Sequence, residues 1–111
     1  MRKFFVLAGL IAALAIPVVA SAAVLSNGSG QTCGGALGTW HFVNNQTGGA
    51  AAGILTATFS SGIVVTGPSQ VNANTQHFIV EATGTLITAS TNLPGRLVLS
   101  DFTCDDHHVK K

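Results

Sequence analysis

Charged residues are scarce in this chain of 111 residues, since Asp, Glu, Lys and Arg together make up only 8% of it. Soluble domains usually carry about 25% charged residues. Five basic residues against four acidic ones give a formal net charge of +1, which offers no basic surface to the phosphates of a nucleic acid. The composition therefore predicts no nucleic-acid partner, and it excludes a charge-rich disordered chain.

Side chains suited to catalysis are also few, with four acidic residues, four His and no Tyr. On one strand, His77 and Glu81 would lie about 13 Å apart, too far for a direct hydrogen bond. Ser100, His77 and Asp101 form another combination, but neighbouring residues of a regular strand point to opposite faces. A G-x-S-x-G nucleophile sequence is absent. We therefore expect no enzyme, no catalytic residues and no cofactor.

The longest apolar run lies at the start of the chain and has the order of a secretory signal. Arg2 and Lys3 precede apolar residues 4–19, and small residues 20–22 (Ala-Ser-Ala) follow. This order predicts a signal peptide over residues 1–22 with cleavage before Ala23. An uncleaved membrane anchor is the alternative, but the run is shorter than the about 20 residues that a span needs.

Cleavage would leave 89 residues with three basic and four acidic side chains, so the low charge belongs to the remaining domain as well. The sequence therefore predicts a protein that is secreted or in the cell envelope, either extracellular or periplasmic. It predicts no stable membrane insertion after the signal has been removed.

The chain contains only two cysteines, Cys33 and Cys104, and both follow the predicted signal. Exported proteins keep disulfides, and two cysteines allow one intramolecular pairing. A bond between them closes a loop of 72 residues, for which the chain-entropy model gives about 4 kcal/mol. A redox-active or metal-binding thiol pair is the alternative, and the absence of C-x-x-C speaks against it. We expect a structural disulfide.

Short segments with period-two alternation, separated by turn sequences every 8–12 residues, predict an all-β domain. Ser61-Gly62, Thr83-Gly84 and Leu93-Pro94-Gly95 are turn signals. The expected strands cover residues 39–44, 54–60, 63–66, 76–82, 85–89 and 96–104. Residues 96–104 have apolar side chains at both parities, which predicts an internal strand.

This pattern predicts a small immunoglobulin-like antiparallel β-sandwich of about six or seven strands. We expect the sandwich domain over residues 33–104, a flexible leader rich in Gly and Ser over residues 23–32, and a polar tail over residues 105–111.

Trp40, His41 and His77 are the candidate ligand contacts. Trp40 alternates with Phe42 as core residues do, and a lone Trp in a small sandwich is usually buried. His41 and His77 point outward by parity and would flank a surface site. The tail sequence Asp105-Asp106-His107-His108 holds ligating side chains, but adjacent residues cannot close a tetrahedral site. We therefore predict no metal site.

Two segments resemble small secreted bacterial β-sandwich proteins of unassigned function. They are GTWHFVN at residues 38–44, with Cys33 ahead of it, and LPGRLVLSDFTC at residues 93–104. The resemblance covers most of the chain after the signal, and it implies no functional residues.

The sequence as a whole predicts a secreted, non-enzymatic structural or interaction module, adhesive or self-associating through strand edges that lack Lys. Its partner would be an extracellular protein or glycan, or a second copy. The alternatives are a carbohydrate-binding domain and an inhibitor of an extracellular hydrolase.

Overall fold

Alternating segments of the sequence form the strands of two antiparallel sheets in the computed structural model, which describes residues 22–105. Within these residues the structure has eight strands and no helix. The strands are β1 (Ala23–Val24), β2 (Gly38–Asn45), β3 (Leu55–Phe59), β4 (Gly62–Thr66), β5 (Gln70–Val71), β6 (Thr75–Ala82), β7 (Leu86–Thr91) and β8 (Arg96–Cys104). In this described part, no helix is long and apolar enough to cross a membrane.

Each sheet has four strands. Sheet one has the order β1-β7-β3-β4, and sheet two has the order β5-β6-β2-β8. The prediction of an all-β fold with two antiparallel sheets is confirmed. Its immunoglobulin-like part is not confirmed, because immunoglobulin sheets have the orders A-B-E-D and G-F-C. The predicted signal peptide, except for its last residue, and the tail from residue 106 onward lie outside the described residues.

The inward faces of both sheets form one apolar core around Trp40. Trp40 and Phe42 of β2 have no exposed surface, and Phe78 of β6 is equally buried. The Trp40 ring stacks on Phe102 with ring centroids 4.5 Å apart, and its Nε1–H donates to the Ala82 carbonyl oxygen over 3.2 Å. Since its one polar atom is satisfied, the indole is a core side chain.

Strand β8 is an edge strand rather than the internal strand that its apolar residues predicted. Its pairing with β2 shifts register between His41 and Phe42, where Asp101 and Leu99 are the respective partners. The extra residue, Ser100, makes a β-bulge, which changes the face to which the following side chains point. Leu99 and Phe102 therefore both reach the core side, and the two-faced apolar pattern comes from the bulge.

Residues 23–32, for which the composition predicted a flexible leader, pack on the sandwich in the structure. β1 pairs with β7, and Leu25 forms a bridge with Leu97 of β8. Asn27 binds the backbone of Leu99 twice: its Oδ1 accepts the amide at 2.8 Å, and its Nδ2 donates to the carbonyl at 3.3 Å. We call residues 25–33 the closing segment, because they cover the edges of β7 and β8 on the same side of the sandwich.

Two fully buried amides fix the connecting loops at one end of the core. Gln76 donates from Nε2 to the carbonyls of Ala50 and Ala51, and its Oε1 accepts the Gly53 amide at 2.9 Å. Asn44 accepts the Thr91 hydroxyl at 2.6 Å, which joins sheet two to sheet one. Its Nδ2 donates to the Pro94 carbonyl over 2.9 Å.

The predicted disulfide between Cys33 and Cys104 is present, with Cα atoms 5.4 Å apart. It ties the end of the closing segment to the last residue of β8. The Cys33 amide also donates to the Gly84 carbonyl in the β6–β7 turn. A disulfide in a small domain is consistent with an extracellular or periplasmic location.

Candidate functional site

The charged side chains of the described residues are confined to sheet two and the residue that follows it. Glu81 lies on β6, Arg96 and Asp101 lie on β8, and Asp105 follows β8. Sheet one contains no charged residue, and its outer face consists of Thr, Ser, Val and Ile side chains. The two outer faces therefore offer different chemistry, and each is considered separately.

Among residues 22–105, no further strand pairs with β4, which is therefore the free edge of sheet one in this part of the chain. It forms a two-residue hairpin with β3, and alternate backbone groups of an edge strand in an antiparallel pair face away from its partner. The side chains of Ile63 and Val65 are 65% and 61% exposed, whereas Val64 packs against the core. β4 therefore presents unpaired backbone groups beside two exposed aliphatic side chains.

The other edges of the two sheets are better protected than the edge formed by β4. The closing segment covers β7 and β8, as described above. On the side where β4 lies, sheet two ends in β5, which has only two residues and follows Pro68 closely. Short strands, nearby proline and edge charges are the usual protection against edge pairing. β4 has five residues, no charge and no proline.

His41 and His77 meet on the outer face of sheet two. Nε2 of His41 lies 2.9 Å from Nδ1 of His77, so one ring donates a hydrogen bond to the other. The two residues lie on the neighbouring strands β2 and β6, where His41 pairs with Ile79 and His77 pairs with Val43. This diagonal position on one face brings two long side chains within reach.

Asp101 stands on the other side of the His41 ring. It is the register partner of His41 on β8, and its Oδ1 lies 4.0 Å from Nδ1 of His41. The His41 side chain is 31% exposed and the Asp101 side chain 76% exposed. Asp101, His41 and His77 thus form a row across three strands, in which the central imidazole faces a carboxylate on one side and a second imidazole on the other.

The structure separates the three candidate ligand contacts. Trp40 is fully buried, so its ring offers no surface to a ligand. His41 and His77 are outward as their parity predicted, but parity alone gave no sign that they touch. The register of β2 against β6 decides that contact, and it depends on pairing between residues 36 positions apart.

The row of Asp101, His41 and His77 does not form a ready-made metal centre. Among residues 22–105, no group of three or more His, Cys, Asp or Glu side chains is placed to hold a metal ion. Asp101 lies beside His41 and not beside His77, so the combination of Ser100, His77 and Asp101 is not assembled either.

No protein-family model, curated protein or solved structure matches the chain.

Proposed function

We propose that this protein is a secreted, non-enzymatic interaction module that self-associates by edge-to-edge pairing of β4. The observation that carries the proposal is the exposed, uncharged edge of β4 on a sandwich whose opposite side is covered by the closing segment. Unpaired strand edges of this kind are templates for a further strand. The occupant to which we commit is a second copy of the chain.

The sequence of β4 suits antiparallel pairing with itself. A two-fold axis beside Val64 would place Ile63 of one copy opposite Val65 of the other, on the outer face. Cross-strand aliphatic pairs of this kind stabilise a sheet by roughly 0.2–1 kcal/mol each. This pair occurs twice by symmetry, and the outer face of sheet one contributes no like charges to oppose the contact. The product is a continuous sheet of eight strands.

Export is part of the same proposal. The signal-like order of residues 1–22 and the disulfide support it. The proposed cut before Ala23 would place the new amino terminus at the first residue of β1. Fractionation of expressing cells, followed by mass determination of the exported chain, should find the 89-residue product. A chain that stays inside the cell with residues 1–22 attached would contradict export.

Self-association is tested by sedimentation velocity over a range of protein concentrations. We expect a monomer–dimer equilibrium in the wild type, and Val65→Lys should weaken it at least about tenfold, because lysine on an edge strand opposes pairing. Ile79→Lys is the matched control. Ile79 is also an exposed β-branched residue, 42% exposed on the outer face of sheet two, away from β4.

Two results would overturn the proposed pairing. One is a wild type that remains monomeric at the highest concentration reached. The other is a dimer that Ile79→Lys disrupts and Val65→Lys does not. Circular dichroism of each variant separates loss of association from loss of folding, since both substituted side chains lie on the surface.

Glycan binding has less support in the structure than self-association. Sugar sites usually combine polar groups with an exposed aromatic ring. Among the described aromatic residues, Trp40, Phe42, Phe59 and Phe78 are buried, and Phe102 is covered on one face by Trp40. Screening of a glycan array and of extracellular hydrolases tests the carbohydrate-binding and inhibitor alternatives. A specific hit that Val65→Lys leaves unchanged would favour one of them.

A further inference from the structure

We propose that His41 and His77 are the two protein ligands of a surface site for a divalent transition-metal ion of the zinc and copper class. This site lies on sheet two and is independent of the β4 edge. The sequence predicted no metal site, because its compact cluster of ligating residues lies in the tail and the distance between the two histidines was not apparent.

The separation of the two ring nitrogens matches two neighbouring positions around one metal ion. Zn²⁺ and similar ions bind imidazole nitrogen at about 2.0–2.1 Å, so two such ligands lie about 2.9 Å apart at a right angle and about 3.3 Å apart at a tetrahedral angle. Nε2 of His41 and Nδ1 of His77 are 2.9 Å apart. Rotation of both rings would direct the two lone pairs at one point outside the sheet. The metal ion would then take the place of the hydrogen bond, and the proton would move to the other nitrogen of the ring that carried it.

Asp101 places a carboxylate next to the ring nitrogen of His41 that would not bind the metal, as is common for histidine ligands. When Nε2 of His41 binds the metal, its proton resides on Nδ1, the nitrogen that faces Oδ1 of Asp101 at 4.0 Å. Metal-ligating histidines usually donate this second N–H to a carboxylate, which orients the ring and makes it a better ligand. Asp101 is largely exposed, so a change of rotamer brings its oxygen to hydrogen-bonding distance. We assign Asp101 as a positioning residue.

The surrounding charges and exposure also favour a cation. Glu81 pairs with Thr39, two residues from His41 on the same face of the sheet. Arg96, the one basic residue other than histidine among residues 22–105, pairs with Asn45 at the far end of β2. Both imidazoles are half-buried on central strands of sheet two, so their side chains lose little freedom on binding. The remaining coordination positions face solvent and take water.

The test is isothermal titration of the full chain with Zn²⁺ alone, in a buffer that does not bind the metal. We expect one site per chain in the wild type, lost in His41→Gln and in His77→Gln. The matched control is the double variant His107→Gln/His108→Gln, which removes the other two histidines and should keep the site. Asp101→Asn should weaken binding roughly tenfold, because it removes the carboxylate that orients the His41 ring.

Each alternative result has a defined meaning. Absence of Zn²⁺ binding by the wild type overturns the proposal. Loss of binding in the tail variant together with its retention in His77→Gln places the metal on the tail and also overturns it. Circular dichroism and the emission of the single tryptophan verify folding of each variant. His41→Gln and His77→Gln are two independent changes, so one misfolded variant does not remove the test.

Discussion

Asn44 and Gln76 are the polar side chains on which the core depends most. Both are completely buried, and they are register partners on β2 and β6. Each satisfies its amide with backbone groups or a hydroxyl from another part of the chain. Buried hydrogen-bonding groups contribute modestly when paired and destabilise strongly when a partner is removed. These two residues therefore set the position of the loops around them.

Gln76→Leu should lower the free energy of unfolding by about 2–4 kcal/mol. The change keeps the side-chain volume but leaves the Gly53 amide and two loop carbonyls without their partners. Urea denaturation followed by circular dichroism measures the loss. Gln70→Leu is the control, because Gln70 is exposed on β5 and its side-chain Nε2 donates to the equally exposed side chain of Asn72. Its effect should stay within about 0.5 kcal/mol, and equal losses in both variants would contradict this role of Gln76.

The alternation of side chains along β2 and β6 indicates that these amides are buried, although their polarity suggests exposed positions. Gln76 has the same parity as Phe78 and Val80, and Asn44 has the same parity as Trp40 and Phe42. Parity therefore indicates the inward direction, whereas polarity alone suggests solvent, and neither residue was predicted to be buried. The partners of both amides lie in loops that are distant in sequence, and for that reason the hydrogen bonds themselves were not predictable.

At the scale of strands, the six strands of five or more residues were predicted, and the two shortest were not. β2, β3, β4, β6, β7 and β8 correspond to segments whose side chains alternate or that lie beside a turn signal. β1 and β5 have two residues each, too few for a period to be visible. The closing segment is held by the edges of β7 and β8, so its own Gly- and Ser-rich composition carries little information about its structure.

Asn27→Ala should uncover part of the edge of β8. Asn27 occupies both backbone groups of Leu99, as a neighbouring strand would. Its removal should lower the free energy of unfolding by about 1–2 kcal/mol and speed hydrogen exchange of the Leu99 amide. Asn72→Ala, at an exposed loop position, is the control for loss of an asparagine. Unchanged exchange at Leu99 in Asn27→Ala would show that the edge is covered by other groups.

At the scale of the whole molecule, the sandwich has one closed side and one open side. The closing segment, β1 and the disulfide lie on the closed side, and β4 lies on the open side. The two candidate sites lie on different sheets, with the free edge on sheet one and the histidine pair on sheet two. The sequence predicted two outward histidines and edges without lysine, but only the order of the strands shows which edge is free.

Removal of the disulfide should cost a large part of the stability of this domain. Small domains bury a limited fraction of their surface, and total stabilities are about 5–15 kcal/mol. The bond joins residues 71 positions apart, for which the chain-entropy model gives about 4 kcal/mol. Cys33→Ser/Cys104→Ser should show this loss in urea denaturation. Thiol labelling of the denatured, unreduced wild type should detect no free cysteine, and a wild type with labelled thiols would contradict the bond.

The closing segment also has a consequence for the order in which the chain folds. It lies near the beginning of the chain, yet its partners are β7 and β8, the last two strands. Such non-local contacts form late, because a long loop must close first. A chain that emerges with its amino terminus first therefore cannot complete this side of the sandwich until Cys104 has emerged. The topology therefore prevents the early part of the chain from folding completely during synthesis. Such a chain would suit an export channel that accepts only unfolded chains.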